Sequence, residues 1–320
     1  MYTAWLVPLT LVLAAATAAA QVTVQEYPLP SGLRVHDVWA DPAPDGPVWF
    51  SAQRSGQLGR LDPRTGKVDL IPLGPDSAPH GVILDADGSP WLTDGGQNAI
   101  VRVDPKTKAV AKWALPQTRG YVNLNTAVFD RSGIHWFTGQ NGVYGRLDPR
   151  TGDLKVFDAP KGRGPYGIHA TPEGVVYYAS LAGSYIARID AATNQATVIE
   201  PPTPGQGARR VWSDSKGVVW VSEWNSGQLS RYDPRTGEWR QWKAPGARPR
   251  VYAVYVDETD KVWVSEWTGQ VMLRFDPTTE KFEAFKSSSG TADVRQIHGR
   301  KGEVWTPESA PDKLVVYRYR

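Results

Sequence analysis

The sequence predicts an all-β protein: a seven-bladed β-propeller closed by its own N-terminal strand. Three observations carry that expectation. A turn of the form Asp-Pro-x-Thr-Gly, or a close variant, recurs with its aspartate at Asp62, Asp104, Asp148, Asp190, Asp233 and Asp276, in steps of 42 to 44 residues. That is the length of a four-stranded blade rather than of a helical repeat. An aromatic landmark recurs independently at Trp49, Trp91, Trp136, Tyr177, Trp220, Trp263 and Trp305, usually with Ser or Thr two residues later. Beyond the N-terminal leader, no stretch sustains a 3.6-residue apolar period, so helix should be nearly absent.

The first twenty residues carry no charge, run apolar over residues 6–16 and end in Ala18-Ala19-Ala20 before Gln21. This reads as a secretory signal peptide over residues 1–20, with one propeller domain over 21–320 in the periplasm or outside the cell. An uncleaved anchor is the alternative, but Pro8 interrupts a run already short for a span, so no membrane span is expected after cleavage. Residues 22–30 (VTVQEYPLP) resemble the end of a blade rather than its start. The last unit, residues 294–320, offers only three strands. The N-terminal strand is therefore expected to supply its fourth, tying the ring and leaving no long unpaired edge. The six blades between occupy residues 33–73, 78–116, 122–160, 165–201, 208–245 and 250–286.

Turn chemistry marks each hairpin. In Asp-Pro-x-Thr-Gly the proline fixes φ, the aspartate caps the turn and the glycine takes the positive φ that closes it. DADG (residues 85–88) and DSKG (residues 214–217) end the inner strands in the same way.

Composition excludes several classes. A net charge of +3 without a basic run excludes a nucleic-acid partner, and the absence of cysteine excludes disulfides and thiolate metal sites. There is no phosphate-binding glycine loop and no Gly-x-Ser-x-Gly elbow. DADG lacks the further acidic positions of a calcium loop. A closed ring needs no second copy, so a monomer is expected.

In a repeat fold, residues in equal register lie at equal depth, and those that break the repeat are the candidates. Eleven residues before the landmark stand His80, Asn125, Tyr166, Arg209 and Tyr252; a longer turn puts His36 there in blade 1, and a shorter one favours Arg295 over Val294 in blade 7. Three residues after it stand Asp94, Glu223, Glu266 and Glu308 in four of the blades. Adjacent antiparallel strands should bring both series to one mouth. Such a polar rim suits a hard cation or a small anionic ligand. His36, His80 and Asp94 form the sharpest constellation, able to hold a divalent metal or to supply a general base. Glu266 and Glu308 are the candidate metal carboxylates. Trp224 and Trp267, which follow two of the glutamates, could stack on a ligand ring or pack between blades. His135, His169 and His298 lie off this register and read as structural.

The stretches APHGVILDADGSPWLTD, VWFSAQRSGQLGRLDPRTGKV and VWVSEWNSGQLSRYDPRTGEW resemble the repeats of the streptogramin lyase (virginiamycin B lyase) family. The resemblance covers essentially the whole chain after residue 20. It implies a seven-bladed propeller and a Mg2+-dependent C–O lyase that opens a cyclic depsipeptide by β-elimination. It also implies a rim histidine in blade 6, a glutamate two residues before a rim histidine in blade 7, and a second-strand glutamate. Here the first position is Tyr252, the second Arg295 or Val294, and the nearest acid before it Asp293; only Glu308 matches. Rotated round the ring, His36, His80 and Asp94 reproduce the two histidines and one acid, with Ala78 where the other glutamate would stand. Three functions stay open: a lyase, a lactone or ester hydrolase, and a non-catalytic scaffold for a protein or glycan partner.

Overall fold

The structure, a computed structural model, describes residues 22–319. The leader expected over residues 1–20 lies outside them. Seven four-stranded antiparallel sheets make up the described chain, and its one helix is a 3-10 turn at Gln117–Arg119. The inner strands are Val35–Ala40, Pro79–Leu84, Leu124–Phe129, Pro165–Ala170, Ala208–Ser213, Val251–Val256 and His298–Arg300. Each sheet then proceeds outward in chain order, except in blade 7. There Thr23–Pro28 pairs antiparallel with Lys313–Arg318 and becomes the outer strand, as the sequence predicts. The N-terminal strand thereby closes the ring.

Two devices hold the blades to that geometry. The landmark aromatics are almost fully buried, and in four blades the indole N–H donates to the aspartate six residues earlier, in the inner hairpin turn. Those bonds are Trp91 to Asp85 (2.8 Å), Trp136 to Asp130 (2.8 Å), Trp220 to Asp214 (3.2 Å) and Trp263 to Asp257 (2.7 Å). A buried indole thus keeps a partner, which is the condition for burying it cheaply. The hydroxyl two residues after the landmark joins neighbouring blades. Ser51 accepts from Asp37 N–H (2.9 Å) in its own blade and donates to His80 O (2.6 Å) in the next. Thr93, Thr138, Ser222 and Ser265 repeat the arrangement onto Asn125, Tyr166, Tyr252 and Val294. These hydroxyls fix the carbonyls at the head of the inner strands, and so the side chains beside them.

The central channel is filled rather than open. Toward the far mouth the inner strands contribute Trp39, Ile83, Val128, His169, Trp212, Tyr255 and His298 in one register. His298 stacks on Trp39 (3.7 Å between centroids) and His169 on Trp212 (4.0 Å), while Trp212 packs against Tyr255 (5.0 Å). The cavity left along the axis is only about 20 Å3, room for roughly one water.

Candidate functional site

The near mouth is shaped by an irregularity at the head of each inner strand. In six blades the first residue pairs opposite the position three after the landmark: Val35 with Ala52, Pro79 with Asp94, Leu124 with Gly139, Pro165 with Ser180, Ala208 with Glu223 and Val251 with Glu266. The register then slips through a β-bulge, which re-aims the residues that follow. In blade 7 a lone bridge between Val294 and Glu308 plays the same part, so Arg295, and not Val294, takes the equivalent position. The structure brings His36, His80, Asn125, Tyr166, Arg209, Tyr252 and Arg295 together at this mouth.

On one side lie the imidazoles. The His36 and His80 rings are 3.8 Å apart. His36 Nδ1–H donates to Asp37 Oδ1 at 2.8 Å, which leaves Nε2 with its lone pair. Arg210 reaches across from blade 5 and donates to the same Asp37 oxygen at 3.0 Å, forming an ion pair buried on both sides. The Asn125 amide donates to His80 Nε2 at 3.2 Å, while His80 Nδ1 is buried without a partner. Burial, then the guanidiniums of Arg210, Arg295, Arg209 and Arg34, hold His36 well below the usual imidazole range. Burial and the neighbouring His36 do the same to His80. Both rings are neutral at pH 7.

On the other side lie arginines on aromatic faces. The Arg209 guanidinium sits 3.4 Å from the Tyr252 ring centroid and 4.2 Å from that of Trp224, and it donates to Tyr166 Oη at 3.1 Å. Arg250 stands over Trp224 at 5.0 Å and Arg295 over Trp267 at 4.8 Å. The Tyr166 and Tyr252 hydroxyls are 2.6 Å apart. Burial pushes both phenols up, and for Tyr166 the guanidiniums of Arg209 and Arg210 outweigh it and draw the group down. Arg209 Nε and Arg295 Nε are buried without partners.

The carboxylate series does not join this group. Asp94 accepts from Ser77 Oγ (2.5 Å) and from the amides of Ala78 (2.9 Å) and Gln97 (3.0 Å), so Asp37, not Asp94, is the acid beside the imidazoles. Glu266 accepts from the amides of Arg250 (2.9 Å), Thr268 (2.8 Å) and Gly269 (2.6 Å), and Glu223 from Ser226 and the Gln241 amide. Glu308 takes Ser287 and Ser289 at 3.0 Å each and Lys313 at 3.2 Å. The reason is local: loop amides between blades would otherwise be buried unpaired, and a carboxylate at the adjacent strand end satisfies two or three at once. Glu266 and Glu308 do share a crevice between blades 6 and 7, but it holds only about 10 Å3.

The donors at hand do not fit the magnesium ion that the resemblance implies. Mg2+ needs an octahedron of oxygens. At the blade 6–7 positions stand Tyr252, bonded to the Tyr166 hydroxyl of blade 4, the arginine Arg295 and Glu308, already neutralised by Lys313. Among the described residues one cluster has metal-capable donors within reach of one another: His36, Asp37 and His80. Its carboxylate is already paired with Arg210, and the arginines that depress His36 disfavour any added cation.

Asp37 and Arg210 are absent from the sequence-derived candidates. A signal existed: one position beyond the ring, the blades carry Asp37, Gly81, Thr126, Gly167, Arg210, Ala253 and Gln296, with two opposite charges among otherwise uncharged residues.

A model of the virginiamycin B lyase family matches residues 13–273. The chain belongs to the virginiamycin B lyase family. Its fold superposes on those of solved relatives. A streptogramin B lyase shares 21% identity at a TM-score of 0.84, covering 93% of this chain and 98% of that one. Virginiamycin B lyase from Staphylococcus aureus shares 20% at 0.85, covering 93% and 99%. A catalytically inactive variant of the same enzyme with quinupristin shares 19% at 0.84, again covering 93% and 99%. At such identities the likeness speaks for the fold alone. No curated protein sequence matches the chain. No helix among the described residues is long and apolar enough to cross a membrane. Within this family propeller, the near mouth joins a neutral, carboxylate-oriented imidazole to guanidinium donors that still have hydrogen bonds to give.

Proposed function

We propose that this virginiamycin B lyase-like propeller binds a small anionic ligand at the near mouth and breaks a C–O bond in it by β-elimination, with His36 as the base. The observation that supports this reading is the pairing of His36 Nε2, kept unprotonated and aimed by Asp37, with the unpartnered nitrogens of Arg209 and Arg295. A base must be neutral at working pH, and charge that develops on an acyl oxygen must meet fixed donors.

In the elimination His36 Nε2 takes the proton from the carbon next to the acyl group, and that electron pair forms the new C=C bond. The C–O bond one carbon further breaks with its electrons on oxygen. Tyr166, whose phenol the guanidiniums of Arg209 and Arg210 draw down, is assigned the return of a proton to the leaving oxygen. Arg209 and Arg295 hold the acyl oxygen. No water is consumed and no metal takes part in a step.

The test is a mass-spectrometric assay against cyclic depsipeptides, lactones and O-acyl hydroxy acids, with and without a chelator. The expected product has the mass of the substrate, a new C=C absorbance and the same yield with chelator present. Replacing His36 with Asn should cost about 100-fold or more in turnover. A product heavier by one water would make the protein a hydrolase. Absence of both turnover and calorimetric binding across the panel would leave a non-catalytic scaffold.

A further inference from the structure

A large cleft lies away from the near mouth, between blades 4 and 5, where the inner and outer hairpin turns face the opposite end. It encloses about 530 Å3, within the range of small-molecule sites. The reason is local, because blade 4 departs from blades 2, 3, 5 and 6 at its landmark and at the turn residue six before it, and both positions line the cleft. The landmark is Tyr177 instead of Trp, and the turn residue that would accept the indole proton is Thr171 instead of Asp. On the outer strand, Ile199, like Ile71 of blade 1, stands where Trp113, Trp242, Phe285 and Tyr27 stack on the landmarks of their own blades. Beside it, Thr197 pairs opposite Arg188, where blades 1 and 6 place Asp69 and Glu283 and blades 2, 3 and 5 place Ala111, Lys155 and Arg240. The landmark replacement removes volume and the turn replacement removes a negative charge from one place.

Arg188 feels the loss. The arginine opposite the landmark is ion-paired in five other blades: Arg60, Arg102, Arg146, Arg231 and Arg274 each have a carboxylate within 4.0 Å. Among the described residues, Arg188 and the facing Lys216 have none. Arg235, also on the wall, is held by Asp233 at 2.9 Å, and Glu173 is the one acid lining the cleft. The lining therefore carries a surplus of one positive charge over a floor of Val175, Tyr177, Ile199 and Tyr232.

We propose that this cleft is a second binding site, for a planar aromatic monocarboxylate. The ring lies on Tyr232 with the buried Tyr177 behind it, and the carboxylate bridges Arg188 and Lys216. Arginine supplies a two-pronged donor to a carboxylate, and a flat ring matches a tyrosine face. The site does not depend on chemistry at the near mouth.

The test is titration calorimetry of the whole protein with naphthalene-2-carboxylate, its methyl ester and naphthalene-2-methylamine. The acid should bind with one site per chain, and the ester and the amine about tenfold more weakly or not at all. Arg188→Gln should weaken binding of the acid by about tenfold. The double substitution Thr171→Asp, Tyr177→Trp rebuilds the pattern of the other blades and should abolish binding while the melting temperature holds or rises. His36→Asn, at the other mouth, should leave binding of the acid unchanged. Equal binding of acid and ester, unchanged binding in the rebuilt variant, or no binding by the native protein at millimolar acid would each overturn the proposal.

Discussion

The channel carries imidazole pairs at both ends, and the two could hardly differ more in surroundings. His36 and His80 sit among arginines and an aspartate, with a buried His80 nitrogen left unpartnered. His169 and His298, three residues further along their own inner strands in register, lie flat on Trp212 and Trp39. His298 Nδ1 accepts from Ala40 N–H at 3.2 Å, and His169 Nε2 meets Ser213 Oγ at 3.1 Å. The far pair is packed; the near pair is wired. Burial alone therefore does not distinguish a structural histidine from a candidate base in this fold. Fixed charge beside the ring does; an unsatisfied nitrogen does not, since both ring nitrogens of the structural His135 are also buried without partners.

The largest expected effect comes from cutting the wire. Asp37→Ala leaves Arg210 charged, buried and alone, which should cost roughly 3 to 5 kcal/mol in urea unfolding. Adding Arg210→Met should recover most of that, because the uncompensated charge is gone. Trp212→Ala at the far mouth should cost a similar ~3 to 5 kcal/mol, since it opens a cavity in aromatic packing, and no neighbouring charge change should rescue it. If the double variant at the near mouth is no more stable than Asp37→Ala, the ion pair is not what holds the imidazole in place.

A smaller, pH-dependent effect sharpens the same contrast. Burial pushes His169 and His298 down to about 3. The unfolded chain takes up these protons near pH 6.5, and the folded chain not until about pH 3. Their contribution is therefore complete above pH 6.5 and is lost as pH falls toward 3, at a limiting slope of about 1.4 kcal/mol per pH unit for each ring. His169→Phe and His298→Phe should flatten the curve of melting temperature against pH between 4 and 6.5 while leaving ligand binding at the near mouth intact. Unchanged curvature would mean that the far pair titrates as freely as exposed histidine.

The fold was legible because its signals are covalent and periodic. Asp62 and its counterparts close hairpins by local turn chemistry, the landmark aromatics count the blades, and the short last unit calls for the strand at Thr23–Pro28 that the structure supplies. The ring positions follow from the same count. Side-chain direction at the second series was not legible, because strand pairing tells which residues share a level and not which amides need an acceptor. Asp94 and Glu266 turn to loop N–H groups whose lack of other partners shows only in three dimensions. Asp37 and Arg210 meet across the ring, 173 residues apart, through a bulge that period-two alternation does not anticipate.

The smallest effect separates inheritance from geometry at Glu308, the one residue that fits the family's pattern. If it acts in chemistry, Glu308→Gln should abolish turnover and leave stability nearly unchanged. The structure instead spends the carboxylate on Ser287, Ser289 and Lys313, and Lys313 keeps a second partner in Glu26 at 2.8 Å. An amide in the same place can still accept from a serine hydroxyl, and it loses mainly the charge term, about 1 kcal/mol. The expected outcome is a melting temperature lower by a few degrees, with affinity and turnover at the near mouth within about twofold of the native protein. Loss of turnover at unchanged melting temperature would return the chemistry to blades 6 and 7 and take it away from His36.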